Sequence, residues 1–163
     1  MNNKTLREKF ESFLTIVEGS LQIAKELCNG EECSELSYID NYVSEYCIKY
    51  EKLINILSKS KVIRTSEEES FLESSEKRLN NLLDKNIIQQ CMSKLESDVD
   101  YLMGQLEKDR YDIIQSNGLV SYNFILGLFN KIKNKLDHNR YDIYDQSLYY
   151  TFIIYIAYIM DND

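Results

Sequence analysis

Leu6, Phe10, Phe13, Leu14, Val17, Leu21, Ala24 and Leu27 recur at steps of three and four. That spacing lays a single apolar stripe along an α-helix. Asn29-Gly30 ends it, because Gly tolerates the left-handed conformation that closes many helices. A second stripe, Leu36, Ile39, Val43, Cys47, Ile54 and Leu57, predicts a helix from about Ser37 to about Ser60. A turn over 61–65 leads to a third helix. Ser66 followed by Glu69 is a capping-box pattern, and Glu67 and Glu68 suit the positive end of a helix dipole. Phe71, Leu72, Leu79, Leu82 and Leu83 form its apolar face, and Asp84-Lys85-Asn86 is a break. The period resumes with Ile87, Ile88, Cys91, Met92, Leu95, Val99, Leu102, Met103 and Leu106, and this helix is expected to end near residues 113–116. Asn117-Gly118 is the strongest turn signal in the chain. Ser121 is placed to cap the next helix, which carries Phe124, Ile125, Leu128, Phe129, Ile132 and Leu136.

The pattern changes at the end of the chain. Leu148–Met160 contains no charge, Gly or Pro over 13 residues. A bilayer span needs about 20 residues and a buried strand usually has about 4–8, so neither fits well. A helix apolar on nearly every side must be enclosed by other elements. The expected fold is therefore all-α: one domain over residues 1–163, a bundle of five or six helices around a buried C-terminal helix. The absence of Pro and the presence of only five Gly agree with long, uninterrupted helices.

Composition then narrows the function. The net charge of −8 disfavours direct binding to nucleic acid or to an anionic membrane, and points to a basic protein partner. The segment from Glu67 to Arg110 holds 11 acidic and 6 basic residues, making it the most negative stretch, with Glu96, Asp98 and Asp100 on the polar side of its helix. A second candidate surface is the row Tyr38, Tyr42, Tyr46 and Tyr50, spaced four apart and therefore stacked along one side of a helix. Tyr has an apolar body and a polar tip, so this row either seals the core edge or meets a partner. The first residues run straight into an amphipathic pattern without a signal-peptide profile, so a reducing cytoplasmic setting is expected. The four cysteines fit it: none has Cys-x-x-Cys spacing, and Cys47 and Cys91 fall on apolar helical faces. No metal or other cofactor is expected. The leading expectation is a non-enzymatic, acidic protein-binding module that occupies a basic, nucleic-acid-binding surface as an inhibitor or adaptor.

Two resemblances offer other readings. Lys133-Asn134-Lys135-Leu136-Asp137-His138 is similar to the Arg-Asn-x-x-x-His motif of HEPN ribonucleases, with Lys where that family has Arg. The resemblance implies an all-helical homodimer that cleaves RNA without metal. His138 would then be the acid/base, Lys133 would stabilise charge and Asn134 would orient the site. A neutral-range imidazole beside a cation suits that chemistry. Gly118-Leu-Val-Ser-Tyr-Asn-Phe-Ile-Leu-Gly127 resembles the first homology region of the apoptosis-regulating Bcl family, with Ser121–Ile125 at its Asn-Trp-Gly-Arg-Ile core. That resemblance implies a helical bundle whose groove takes a partner's amphipathic helix, with Tyr122 and Phe124 near its wall.

Overall fold

The computed structural model describes residues 5–134 and 142–162. Among these the chain is all-helical and forms a single helical domain. The helices are α1 (Leu6–Cys28), α2 (Ser34–Leu57), α3 (Ser66–Leu82), α4 (Lys85–Lys108), α5 (Arg110–Asn117), α6 (Leu119–Asn134) and α7 (Ile143–Asn162), with a short 3-10 turn at Lys61–Ile63. No strand occurs among the described residues.

Local chemistry sets most of these boundaries. Thr5 caps α1 by accepting from the Glu8 N–H, while Glu8 reaches back to the Thr5 N–H. The α1 helix closes on Asn29 in the left-handed conformation, followed by Gly30 at φ 80°. The α3 cap lies one residue earlier than the Ser66–Glu69 pattern predicts. Thr65 and Glu68 make the reciprocal bonds, because Ser66 already has helical backbone. Asp84 caps α4 through the Asn86 and Ile87 N–H groups. Asp109 splits the long predicted helix into α4 and α5, an additional boundary for which the apolar period gives no signal. Helix α6 starts at Leu119, directly after Gly118 at φ 93°. Ser121, expected as its cap, instead lies inside the helix.

The buried stripe of α2 also differs from the predicted one. It is Ile39, Val43, Tyr46, Leu53 and Ile56, so Tyr46 takes the inward position assigned to Cys47, and Cys47 is exposed. The predicted stripe held a four-residue step from Val43 to Cys47; the helix turns 3.6 residues, and the shorter step to Tyr46 keeps the stripe facing α1.

Helix α1 packs against α2, α3, α6 and α7, and α7 packs against α1, α2, α4 and α6. Apolar side chains gather in two adjoining groups, both touched by Leu21, Tyr42 and Met92. One joins Phe10, Phe13 and Val17 to Tyr46, Leu53, Leu79 and Tyr150. Phe13 meets Tyr46 at 4.9 Å and Tyr150 at 5.3 Å, both edge-on, the arrangement aromatic quadrupoles favour. The other joins Ile23 and Ala24 to Ile39, Phe124, Leu128, Leu148, Phe152 and Ile154. Along α7, Leu148, Tyr150, Thr151, Phe152, Ile154 and Tyr155 are buried, whereas Ile153 and Met160 are exposed. No helix among the described residues is long and apolar enough to cross a membrane.

The α1–α7 crossing is made by small residues. A Cβ on Gly19 would stand 2.3 Å from Ser147 Oγ, so only Gly fits there unless Ser147 moves. Around it, Ser147 Oγ donates to the Ile16 carbonyl at 2.9 Å and Ser20 Oγ donates to the Ser147 carbonyl at 2.9 Å. Thr151 Oγ1 donates to the Ser147 carbonyl at 2.7 Å. Each buried hydroxyl is thus satisfied, which removes a penalty of about 1–3 kcal/mol per orphaned group. At the α1–α6 contact, a Cβ on Gly127 would meet Leu27 Cδ2 at 2.6 Å.

These two kinds of glycine site predict opposite signs. Gly19→Ala should destabilise by about 1–3 kcal/mol, because overpacking and disturbance of Ser147 outweigh the gain in helix propensity. Gly104→Ala, at an exposed α4 position with nothing within 4 Å, should stabilise by up to about 1 kcal/mol. Urea denaturation monitored by circular dichroism measures both, and equal signs would refute the close-crossing assignment.

Candidate functional site

The α4 helix shows how a polar face comes to be presented. Val99 and Leu106 turn inward with Ile88, so the residues between them on the opposite side must face water. Asp98 and Asp100 are exposed, and Glu96 is half-buried. Tyr101 is 69% exposed on the same helix, and Tyr111 on α5 is 74% exposed. From Lys94 to Asp112 there are six carboxylates against three cations, so the surface is acidic and studded with aromatic rings. One of its charges is committed: Lys133 Nζ at the end of α6 pairs with Asp100 Oδ1 at 2.9 Å. Both partners are largely exposed, so the pair contributes at most about 1 kcal/mol to stability. Its effect is to tie the end of α6 to the acidic face. Of the three carboxylates that the pattern puts on the polar side of the helix, Asp98 and Asp100 are exposed and Glu96 only partly so. Tyr101 and Tyr111 were missed; an aromatic residue on the polar side of an amphipathic helix was the signal available.

The tyrosine row of α2 lies differently. Tyr46 is buried, and Tyr38, Tyr42 and Tyr50 are half-buried. Phe10 packs on Tyr46 at 6.1 Å and on Tyr50 at 5.7 Å, and Tyr42 stacks on Tyr46 at 5.0 Å. Tyr38 meets Tyr158 of α7 at 5.3 Å. Arg78 Nε of α3 donates to the Tyr46 hydroxyl at 3.1 Å. Burial, and then the neighbouring Tyr46, push the Tyr42 phenol well above its usual range. The row therefore joins α2 to α1, α3 and α7 and leaves ring edges at the surface.

Lys133 and Asn134 are both exposed at the carboxyl end of α6. His138 lies outside the described residues. Tyr122 and Phe124, the groove-wall residues of the Bcl resemblance, are buried in the core, and the Arg110 guanidinium sits 5.6 Å from the Tyr122 ring centre. The clefts lie elsewhere. One of about 790 Å³ runs between α1, α3 and the start of α7, lined by Lys9, Ser12, Glu76, Asn80, Lys85 and Gln146 among others. Another of about 520 Å³ opens at the start of α2, lined by Glu32, Cys33, Ser34, Ser37, Tyr38, Asn41 and Tyr158. Among the described residues, no group of three or more His, Cys, Asp or Glu is arranged to hold a metal ion.

The start of α2 carries a buried polar contact absent from any sequence pattern. Glu35 is 3% exposed, and its Oε2 accepts from Ser121 Oγ of α6 at 2.9 Å. This bond accounts for Ser121 lying inside α6 rather than capping it: its hydroxyl is turned to a partner 86 residues away in the chain.

No family model matches the chain, nor does any curated protein or solved structure.

Ser121→Ala removes the donor and leaves the buried Glu35 carboxyl one hydrogen bond short. A loss of about 1–3 kcal/mol in unfolding free energy is expected. Glu35→Gln, which still accepts through its amide oxygen, should lose less. Chemical denaturation of the two variants compares them; a neutral Ser121→Ala would show that the contact carries no energy.

Proposed function

We propose that the protein is a non-enzymatic protein-binding module whose acidic α4 face occupies the basic, nucleic-acid-binding surface of a partner protein, as an inhibitor or adaptor. The observation that carries this reading is the exposed set Asp98, Asp100 and Tyr101 on one helix that is fixed from behind by Val99 and Leu106. Carboxylates on a rigid helix present separated negative charges, as a phosphate backbone does, and a basic groove answers that charge. Exposed Tyr adds contact area at small entropic cost, which is why tyrosine is frequent among the residues that dominate interfaces. The scaffold in this reading is one bundle with α7 among its inner helices, supported by the burial of Leu148, Thr151 and Ile154. The tyrosine row is a secondary surface, since only its edges reach solvent.

Immobilised protein exposed to a soluble proteome tests the reading. The captured proteins should be basic, should elute as the salt rises from about 0.1 M towards 1 M and the screening length falls from about 10 to 3 Å, and should be displaced by added duplex DNA or RNA. Asp98→Asn with Asp100→Asn should weaken capture about tenfold, equivalent to about 1.4 kcal/mol, and Tyr101→Ala should weaken it further. Capture of acidic or neutral proteins with no salt dependence would overturn the proposal, as would direct retention of nucleic acid by the protein itself.

A further inference from the structure

The connection between α1 and α2 brings two thiols together. Cys28 is the last residue of α1 and is buried; Cys33 precedes α2 and is half-buried. Between them Asn29 at φ 50° and Gly30 at φ 80° bend the chain back on itself. The bend closes with the Glu31 N–H donating to the Cys28 carbonyl at 2.9 Å. The result is a separation of 3.1 Å between Cys28 Sγ and Cys33 Sγ. A disulfide bond is about 2.05 Å long, so a movement of about 1 Å would join them. Cys47 is exposed and Cys91 half-buried, on α2 and α4 respectively.

The two sulfurs are not equivalent. Cys28 is enclosed by the core, and burial pushes its thiol up to about 12. Burial raises Cys33 as well, and the neighbouring Glu35 carboxylate adds to this, while the Cys28 contact and the Leu36 N–H at the first turn of α2 act the other way and offset part of it. The cleft of about 520 Å³ lined by Ser34, Ser37, Tyr38 and Tyr158 opens onto Cys33. A small oxidant therefore reaches Cys33 first, with Cys28 behind it in contact.

We infer that Cys28 and Cys33 form a reversible dithiol–disulfide pair, a redox-sensitive clasp between α1 and α2 that responds to peroxide, with Cys33 as the attacking thiol and Cys28 as the resolving one. The Cys33 thiolate attacks one oxygen of hydrogen peroxide, the O–O bond breaks, and hydroxide leaves as water after taking a proton. Cys33 is then a sulfenic acid, oxidised by two electrons. The Cys28 sulfur attacks it, the S–O bond breaks, and the hydroxyl departs with the Cys28 proton as a second water. The sum is two thiols and one peroxide giving one disulfide and two waters. A dithiol such as dithiothreitol reverses it by exchange. The clasp closes only a short loop, so it rearranges little and instead locks the angle between α1 and α2 and narrows access to the cleft.

The full chain treated with hydrogen peroxide should lose the mass of two hydrogen atoms, and N-ethylmaleimide added after denaturation should then modify two thiols where the reduced chain has four. Peptide mapping should place the crosslink between Cys28 and Cys33, and dithiothreitol should restore the starting mass. The oxidised form should unfold at higher urea than the reduced form. A native chain that forms no crosslink, or that links either residue to Cys47 or Cys91 instead, overturns the inference. The order of attack is read separately with dimedone, which traps sulfenic acid. Cys28→Ala should accumulate label on Cys33, and Cys33→Ala should leave Cys28 unlabelled; the opposite pattern overturns the assigned roles. Circular dichroism verifies that both variants fold, and mapping of the unsubstituted chain decides the pairing if either does not.

Discussion

The close crossing of α1 and α7 is the contact on which the rest of the packing depends. Gly19 leaves room for Ser147 at a distance that no Cβ would permit. Once the two backbones are that near, Ser20, Ser147 and Thr151 bond to carbonyls across and along the crossing instead of to water. Hydroxyls satisfied in this way let small polar residues occupy an interior that would otherwise demand apolar ones. They also fix the register of α7 on α1, because a hydroxyl displaced by one residue would face a side chain and not a carbonyl. With that register set, Tyr150 reaches Phe13 and donates to the Leu82 carbonyl, which links α7 to the end of α3. Leu148 and Ile154 fall among the side chains of α1, α2 and α6.

Helix α1 is the common neighbour of this arrangement. It meets α2, α3, α6 and α7, and its buried residues lie on more than one face. Helix α4 instead rests against α6, α7 and α5 with one buried edge, so the remainder of its circumference is free for charge. The α1–α7 crossing thus uses neutral hydroxyls and aromatic rings, while none of the carboxylates of α3 and α4 is buried. A helix held along one edge is a firm platform for such charges.

Besides the hydroxyls of the α1–α7 crossing and Asp145 on α7, polar chemistry enters the interior at the start of α2. Glu35, Ser121 and the two thiols of Cys28 and Cys33 lie within one neighbourhood, and the Glu35 carboxyl takes part in the hydrogen bonding of Cys33 as well as that of Ser121. Three helices, α1, α2 and α6, contribute to it. A change in the oxidation of the thiols therefore acts on a junction, and not on an isolated loop.

How much of this was legible beforehand follows from the range of each interaction. The helices were legible because their causes are local: apolar residues at steps of three and four, and left-handed residues at Asn29, Gly30 and Gly118. The caps were not: Ser66 and Ser121, read as caps, lie inside helices, and Thr65 takes the α3 cap. The acidic side of α4 was legible from local causes too, since the inward positions of one helix define its outward ones. The phase of α2 was less so: Tyr46 and Cys47 are adjacent apolar residues, and only the position of α1 decides which turns inward. The split at Asp109, the use of Ser121 as a donor to Glu35, and the meeting of Cys28 with Cys33 were not legible. Each depends on backbone direction or on a partner distant in the chain. Gly19 carries the same lesson in one residue. In sequence it is a weak helix former within an amphipathic stripe; its need to be glycine arises only when Ser147, more than a hundred residues later, comes to rest against it.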